Sequence, residues 1–206
     1  MTNRKNVLLA CSLMFAGSAA AFTYSLVASP DDPFAPCRKN DMVDFAQFGG
    51  DFTLTDETGT AVTDSQILDR PTLLYMGYTF CPDVCPLDNM RNAEAVYALE
   101  ELGQEARAVF VSVDPDRDTP EVLADFTDVF HPEMIGLTGD QETLEKLAAA
   151  YHATFRFQDR EDEFYLIDHT TYTYVILPGH GVVDLVSRDD TADEVAERMQ
   201  CFAAQV

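Results

Sequence analysis

The stretch YTFCPDVCPLDNM, residues 78–90, decides how the rest of the chain is read. Two cysteines, Cys81 and Cys85, stand with three residues between them, and each is followed by a proline. Upstream, PTLLYMGYTF (residues 71–80) is nearly continuous apolar sequence, as expected for a strand buried on both faces. Downstream, Pro86 suits the first position of a helix. Leu87, Met90, Ala93, Val96 and Tyr97 then recur at helical spacing until Gly103 offers a stop. The residue before a proline avoids helical φ and ψ, so both cysteines are expected on the loop just ahead of the helix. Thiols at a helix N-terminus favour thiolate, because the helix dipole and free N–H groups stabilise negative charge.

Working outward, residues 51–62 (DFTLTDETGTAV) alternate around a Gly-containing turn and read as a β-hairpin. AVFVSV, residues 108–113, is a second buried strand. Thr119 and Pro120 open a helix expected to reach about Phe130. MIGLTG gives a short strand or connector, and DQETLEKLAAAYHA a third helix. After Phe155 the pattern turns strand-like in FRF, FYLI, TYTYVILP and VVDLVS, with PGHG (residues 178–181) as a hairpin tip. Thr191 and Glu194 form a capping box for a last helix through Phe202. Strands alternating with helices, then a hairpin and a helix, indicate one α/β domain.

Of the 206 residues 47% are hydrophobic and 24% charged, a globular composition. The net charge of -23 argues against a nucleic-acid partner, since phosphate is repelled and no basic stripe offsets the repulsion. Arg4 and Lys5 precede residues 6–28, a run without a charged side chain, and Asp31 and Asp32 follow it. About 20 apolar residues span a bilayer, so residues 6–28 read as a membrane anchor. The positive-inside rule puts residues 1–5 in the cytoplasm and the rest across the membrane. A cleaved signal sequence ending near Ala19-Ala20-Ala21 is the competing reading, and it exports the same domain. Residues 29–40, rich in Pro and Asp, form a linker, and residues 41–206 the folded domain. In a bacterium this is a single-pass inner-membrane protein with its domain in the periplasm. Cys11 falls in the anchor. Cys37 and Cys201 lie near the two ends of the exported part, and a disulfide between them is expected in an oxidising compartment.

Two thiols between a strand and a helix resemble the thioredoxin arrangement, except that thioredoxin-type motifs carry two residues between the cysteines. The third residue enlarges the loop, which permits either a bridge or chelation of one ion from the same side. Among four histidines, His131 ends a helix, His152 lies on an amphipathic helix and His180 sits on a hairpin tip. His169 differs: it precedes a buried strand, where a thioredoxin-like oxidoreductase presents a cis-proline, and no proline lies between Glu133 and Pro178. Two thiolates and an imidazole suit Cu(I). The alternating Asp114, Asp116 and Asp118 look like a calcium loop, but Thr119 stands where such a loop needs glycine.

Taken together, GYTFCPDVCP, VSVDPDRDTP and DHTTYTYVILPGHG resemble the Sco/SenC family of membrane-anchored copper proteins, over about residues 45–202. The resemblance implies a thioredoxin-like α/β fold, a central mixed sheet flanked by helices, here with an N-terminal β-hairpin extension. It implies Cys81, Cys85 and His169 as ligands of one copper ion per chain, Cu(I) and in some states Cu(II). Asp114 and Arg117 are expected to shape the wall beside the site. Asp168 is either a partner of the imidazole or an exposed carboxylate. The implied function is a metallochaperone that delivers copper to the copper-receiving subunit of cytochrome c oxidase, for assembly of its binuclear centre, with other copper chaperones as further partners. The alternatives are a thiol–disulfide oxidoreductase using Cys81 and Cys85 as its redox pair, a copper or redox sensor, and a zinc site.

Overall fold

The structure, a computed structural model, describes residues 32–39, 43–162 and 164–206. The expected membrane segment at residues 6–28, with Cys11 in it, lies outside the described residues. Among the described residues, no helix is long and apolar enough to cross a membrane.

The unit from Cys37 to Val206 begins with the expected hairpin, β1 (Thr53–Asp56) and β2 (Ala61–Thr63), then a single helical turn, α1 (Asp64–Ile67). Next come β3 (Thr72–Gly77), α2 (Val84–Glu101) and β4 (Arg107–Ser112), a strand–helix–strand unit with parallel strands. They are followed by α3 (Pro120–Thr127), β5 (Ile135–Thr138) and α4 (Gln141–Ala150). A two-stranded ribbon of β6 (Phe155–Phe157) and β7 (Ile167–His169) precedes the hairpin of β8 (Thr173–Leu177) and β9 (Gly181–Val186), with α5 (Ala192–Ala203) last.

One mixed sheet holds seven strands in the order β2-β1-β5-β4-β3-β8-β9. β3 lies between β4, its parallel partner, and β8, its antiparallel partner, and every residue from Thr72 to Gly77 is buried. That burial explains why its sequence is apolar without alternation. The antiparallel pairing of β8 has a consequence for function. Thr173, which starts β8, lies opposite Tyr75 near the end of β3. Residues just before β8 are therefore carried to the loop just after β3. His169 and Cys81 occupy those two places.

Helix ends follow local chemistry. Thr119 accepts the Val122 N–H, and Thr191 makes the expected box with Glu194. α3 stops at Thr127, short of Phe130, because Pro132 disfavours helical backbone at His131 and lacks an N–H itself. α2 differs from expectation at both its start and its buried side. It begins at Val84, so Cys85 and Pro86 lie within the first turn, not on the preceding loop. The first N–H groups of a helix have no intrahelical acceptor, and a proline there forfeits no bond. Leu87, Met90 and Tyr97 face solvent, while Asp88, Asn89, Arg91 and Asn92 are buried beside Ala93, Val96 and Leu99. At the other end Gly103, with φ of +72°, takes the left-handed position after the cap.

The expected covalent bond is present. Cys37 and Cys201 are joined, with Cα atoms 5.6 Å apart, across a sequence separation of 164. Neighbouring polar contacts hold the same segment: Arg38 Nε donates to the Val183 carbonyl at 2.6 Å, and Lys39 Nζ pairs with Asp190 at 2.6 Å and Glu194 at 3.0 Å.

Candidate metal centre

Cys81 lies on the loop that leaves β3, Cys85 in the first turn of α2, and His169 at the end of β7. Their ligand atoms all lie within 4.8 Å of one another, although His169 is 84 positions from Cys85 in sequence. His169 Nε2 is 3.4 Å from Cys85 Sγ, and the Cys85 N–H donates to Cys81 Sγ, also at 3.4 Å. His169 Nδ1 sits 3.0 Å from the Thr170 carbonyl oxygen. A carbonyl only accepts, so Nδ1 carries a proton; the neutral ring then turns its Nε2 lone pair to the sulfurs, and the protonated ring donates Nε2–H to them. Cys85 is fully buried, Cys81 nearly so, and the imidazole is half-buried. The cluster thus opens to solvent on the histidine side.

The surroundings separate the two thiols. The Cys81 pKa is lowered, first by the Cys85 S–H that donates to it, then by His169 and by the N–H groups of Asp83 and Cys85; burial opposes these. The Cys85 pKa is raised, because ionising it would set a second negative charge against Cys81 in a buried position. Of the two, Cys81 is the more acidic thiol and Cys85 the one whose S–H donates to it.

Packing around the cluster is aromatic. Tyr75 and Tyr78 meet the His169 ring edge-on, at 6.0 and 5.8 Å, and the Tyr75 hydroxyl lies 3.9 Å from Cys85 Sγ. Gly77 is required here: a Cβ on it would stand 2.8 Å from Cys85 Sγ and 2.9 Å from the Tyr75 ring. Tyr75 and Gly77 alternate onto the same face of β3, so a tyrosine two residues before a glycine was a usable signal in the sequence.

The VSVDPDRDTP motif forms the wall beside the site, and no calcium loop. Asp114 is buried and accepts from Arg117 Nε at 2.5 Å and from the Tyr165 hydroxyl at 2.6 Å. The Arg117 guanidinium lies 3.6 Å from the Tyr165 ring centre and 4.8 Å from that of Phe80, the residue before Cys81. Asp118, which drew no role from sequence, accepts the Thr79 N–H at 2.9 Å, the Thr79 hydroxyl at 2.6 Å and the Ser112 hydroxyl at 2.5 Å. It fastens the cysteine loop to the end of β4. Asp118→Ala is expected to cost about 2 kcal/mol, since the buried Ser112 hydroxyl and two part-buried Thr79 donors lose their acceptor; urea unfolding measures it, and a loss below about 1 kcal/mol would contradict the anchoring role.

The remaining candidates lie elsewhere. Asp168 is exposed and pairs with Arg156 at 2.9 Å and Gln158 at 2.7 Å. Alternation along β7 turns it to the side opposite His169, so it is the exposed carboxylate and not the imidazole's partner. His131 is buried against Tyr97, His152 contacts the Gln47 carbonyl, and His180 occupies the turn before β9. None of the three joins the cluster.

Comparisons with known proteins give the chain's family. Residues 40–204 match the SCO1/SenC family. Protein SenC of Rhodobacter capsulatus is 46% identical over 193 residues, covering 94% of this chain and 86% of that protein. The mitochondrial protein SCO1 homolog 1 of Arabidopsis thaliana is 34% identical over 153 residues, covering 74% of this chain; the chain spans 46% of that longer relative. The crystal structure of Arabidopsis thaliana ScoI with copper bound superposes with a TM-score of 0.71 at 32% identity, covering 76% of this chain and 99% of that one. The fold is thioredoxin-like, with a central mixed sheet flanked by helices. This chain belongs to the SCO1/SenC family.

Proposed function

We propose that the chain binds one copper ion through Cys81, Cys85 and His169 and passes it to the copper-receiving subunit of cytochrome c oxidase. The observation that carries this reading is the convergence of two sulfurs and an imidazole nitrogen within 4.8 Å. The donor set fits the metal. Soft thiolates and an imidazole suit Cu(I), and three donors satisfy it. Zinc prefers four, and among the described residues no further Cys, His, Asp or Glu joins the group. The copper-bound plant relative supports the choice of metal. The family resemblance supports the oxidase as destination. Residues 6–28 then hold the domain at the outer face of the inner membrane, within reach of a membrane-bound acceptor.

An open, three-donor site suits a carrier, because an acceptor cysteine can enter before a donor leaves. The same cysteines also suit a thiol–disulfide reductant, since Cys81 is the more acidic thiol and Cys85 lies beside it. His169 favours the carrier: its Nε2 faces the sulfurs, where the neutral ring offers a metal a third donor, and disulfide exchange has no need of one there. Competitive titration of the reduced full chain with Cu(I), Cu(II) and Zn(II) tests the reading. Preference for Cu(I) with one ion per chain is expected. Preference for Zn(II), or no uptake of copper, would overturn it.

A further inference from the structure

The buried side of α2 is polar, which is costly unless each group is bonded. Here the bonds converge on one hydroxyl. Arg91 Nη2 donates to Thr173 Oγ1 at 2.9 Å, Asn92 Nδ2 donates to the same oxygen at 3.0 Å, and that hydroxyl faces Asn92 Oδ1 at 3.2 Å. Arg91 Nη1 also donates to the Ser187 carbonyl at 2.8 Å and pairs with Asp88 at 3.1 Å. Thr173 is wholly buried.

The placement of this cluster gives it a use. Asn92 lies two turns beyond Cys85 on α2, about 10 Å along the axis at roughly 1.5 Å per residue. Thr173 starts β8, shortly after His169 at the end of β7. Two segments, each bearing a donor of the candidate metal centre, are thus pinned together a short way from that donor. Apolar contact alone would let the helix turn or slide slightly against the sheet. Hydrogen bonds weaken steeply with angle, so they hold one orientation. We propose that Arg91, Asn92 and Thr173 are positioning residues that set the separation of Cys85 Sγ from His169 Nε2, and through it the affinity of the site for metal. The affinity part rests on the copper reading above; the separation itself does not.

The test uses the full, reduced chain. Thr173→Val keeps the shape and removes the hydroxyl, Thr173→Ser restores it, and Leu144→Ala opens a cavity in the core under α4 as a measure of plain destabilisation. Three quantities are read: Cu(I) affinity by competition with a colorimetric chelator, the Cu(II) absorption spectrum, and the His169 imidazole 15N shifts of the metal-free protein. Thr173→Val is expected to weaken Cu(I) binding about tenfold or more, to alter the Cu(II) spectrum and to move the 15N shifts. Thr173→Ser is expected to match the unaltered chain, and Leu144→Ala to lose stability with all three readouts unchanged. Thr173→Val with unaltered spectra and affinity within about threefold, or Leu144→Ala reproducing its effects, would overturn the proposal. If Thr173→Val fails to fold, Asn92→Leu carries the same expectations. If the unaltered chain takes up no copper, the copper reading falls, and the metal-free 15N shifts still decide the positioning role.

Discussion

Replacing His169 with alanine is expected to lower Cu(I) affinity by at least about a hundredfold, since loss of an outer partner of a metal ligand alone costs about 10- to 100-fold. The fold should survive the change. His169 is half-buried at the end of a short ribbon, and its one polar contact with the backbone is to the Thr170 carbonyl. Loss of a single partly exposed hydrogen bond costs about 1 kcal/mol. Competition against a colorimetric Cu(I) chelator measures the affinity, and circular dichroism checks the fold. The same variant separates the two functional readings. A copper carrier loses oxidase maturation together with its copper. A reductant keeps Cys81 and Cys85, and with them its activity on acceptor cysteines. Full maturation by a His169→Ala chain that holds no copper would therefore transfer the function to thiol chemistry.

The second large effect concerns stability. The Cys37–Cys201 bridge closes nearly the whole described unit, with a sequence separation of 164. Chain entropy alone assigns such a loop about 5 kcal/mol, and loss of a native disulfide typically costs about 2–5 kcal/mol. Cys37→Ser with Cys201→Ser is expected to lose about 4 kcal/mol, which lowers Tm by roughly 8–16 °C in a domain of this size. Arg38 and Lys39 still tie the segment to Val183, Asp190 and Glu194, so the variant should fold. Urea unfolding and calorimetry measure the difference. A loss under about 1 kcal/mol would mean that the non-covalent contacts hold the ends without the bridge.

Much of the architecture was legible because it follows from local pattern. The apolar runs of β3, β4 and β8, the hairpin ahead of them and the caps at Thr119 and Thr191 all reflect rules that act within a few residues. The candidate metal centre was legible as chemistry: two sulfurs at close spacing limit what else they can need. Its assembly was less so, since His169 reaches Cys85 only because β8 runs antiparallel to β3. Sequence spacing does not contain that fact, and the family resemblance supplied it.

α2 marks where local rules fail. Periodicity turns Leu87, Met90 and Tyr97 inward, yet they face solvent, and Arg91 and Asn92 take the buried side. The partners that make this tolerable, Thr173 and the Ser187 carbonyl, belong to β8 and to the residue after β9. A hydrophobic count cannot register a bond to a hydroxyl some eighty residues away. The expectation that both cysteines precede the helix failed for a related reason. The proline rule describes an average backbone, whereas the first turn of a helix has no hydrogen bond for Pro86 to break.

Copper-edge X-ray absorption on the full chain loaded with one equivalent of Cu(I) tests the central claim most directly. Two sulfur scatterers and one imidazole nitrogen are the expected shell, with the imidazole contribution absent from His169→Ala and one sulfur absent from Cys81→Ser. A shell of nitrogen and oxygen alone, or an imidazole signal that persists when His169 is removed, would contradict it.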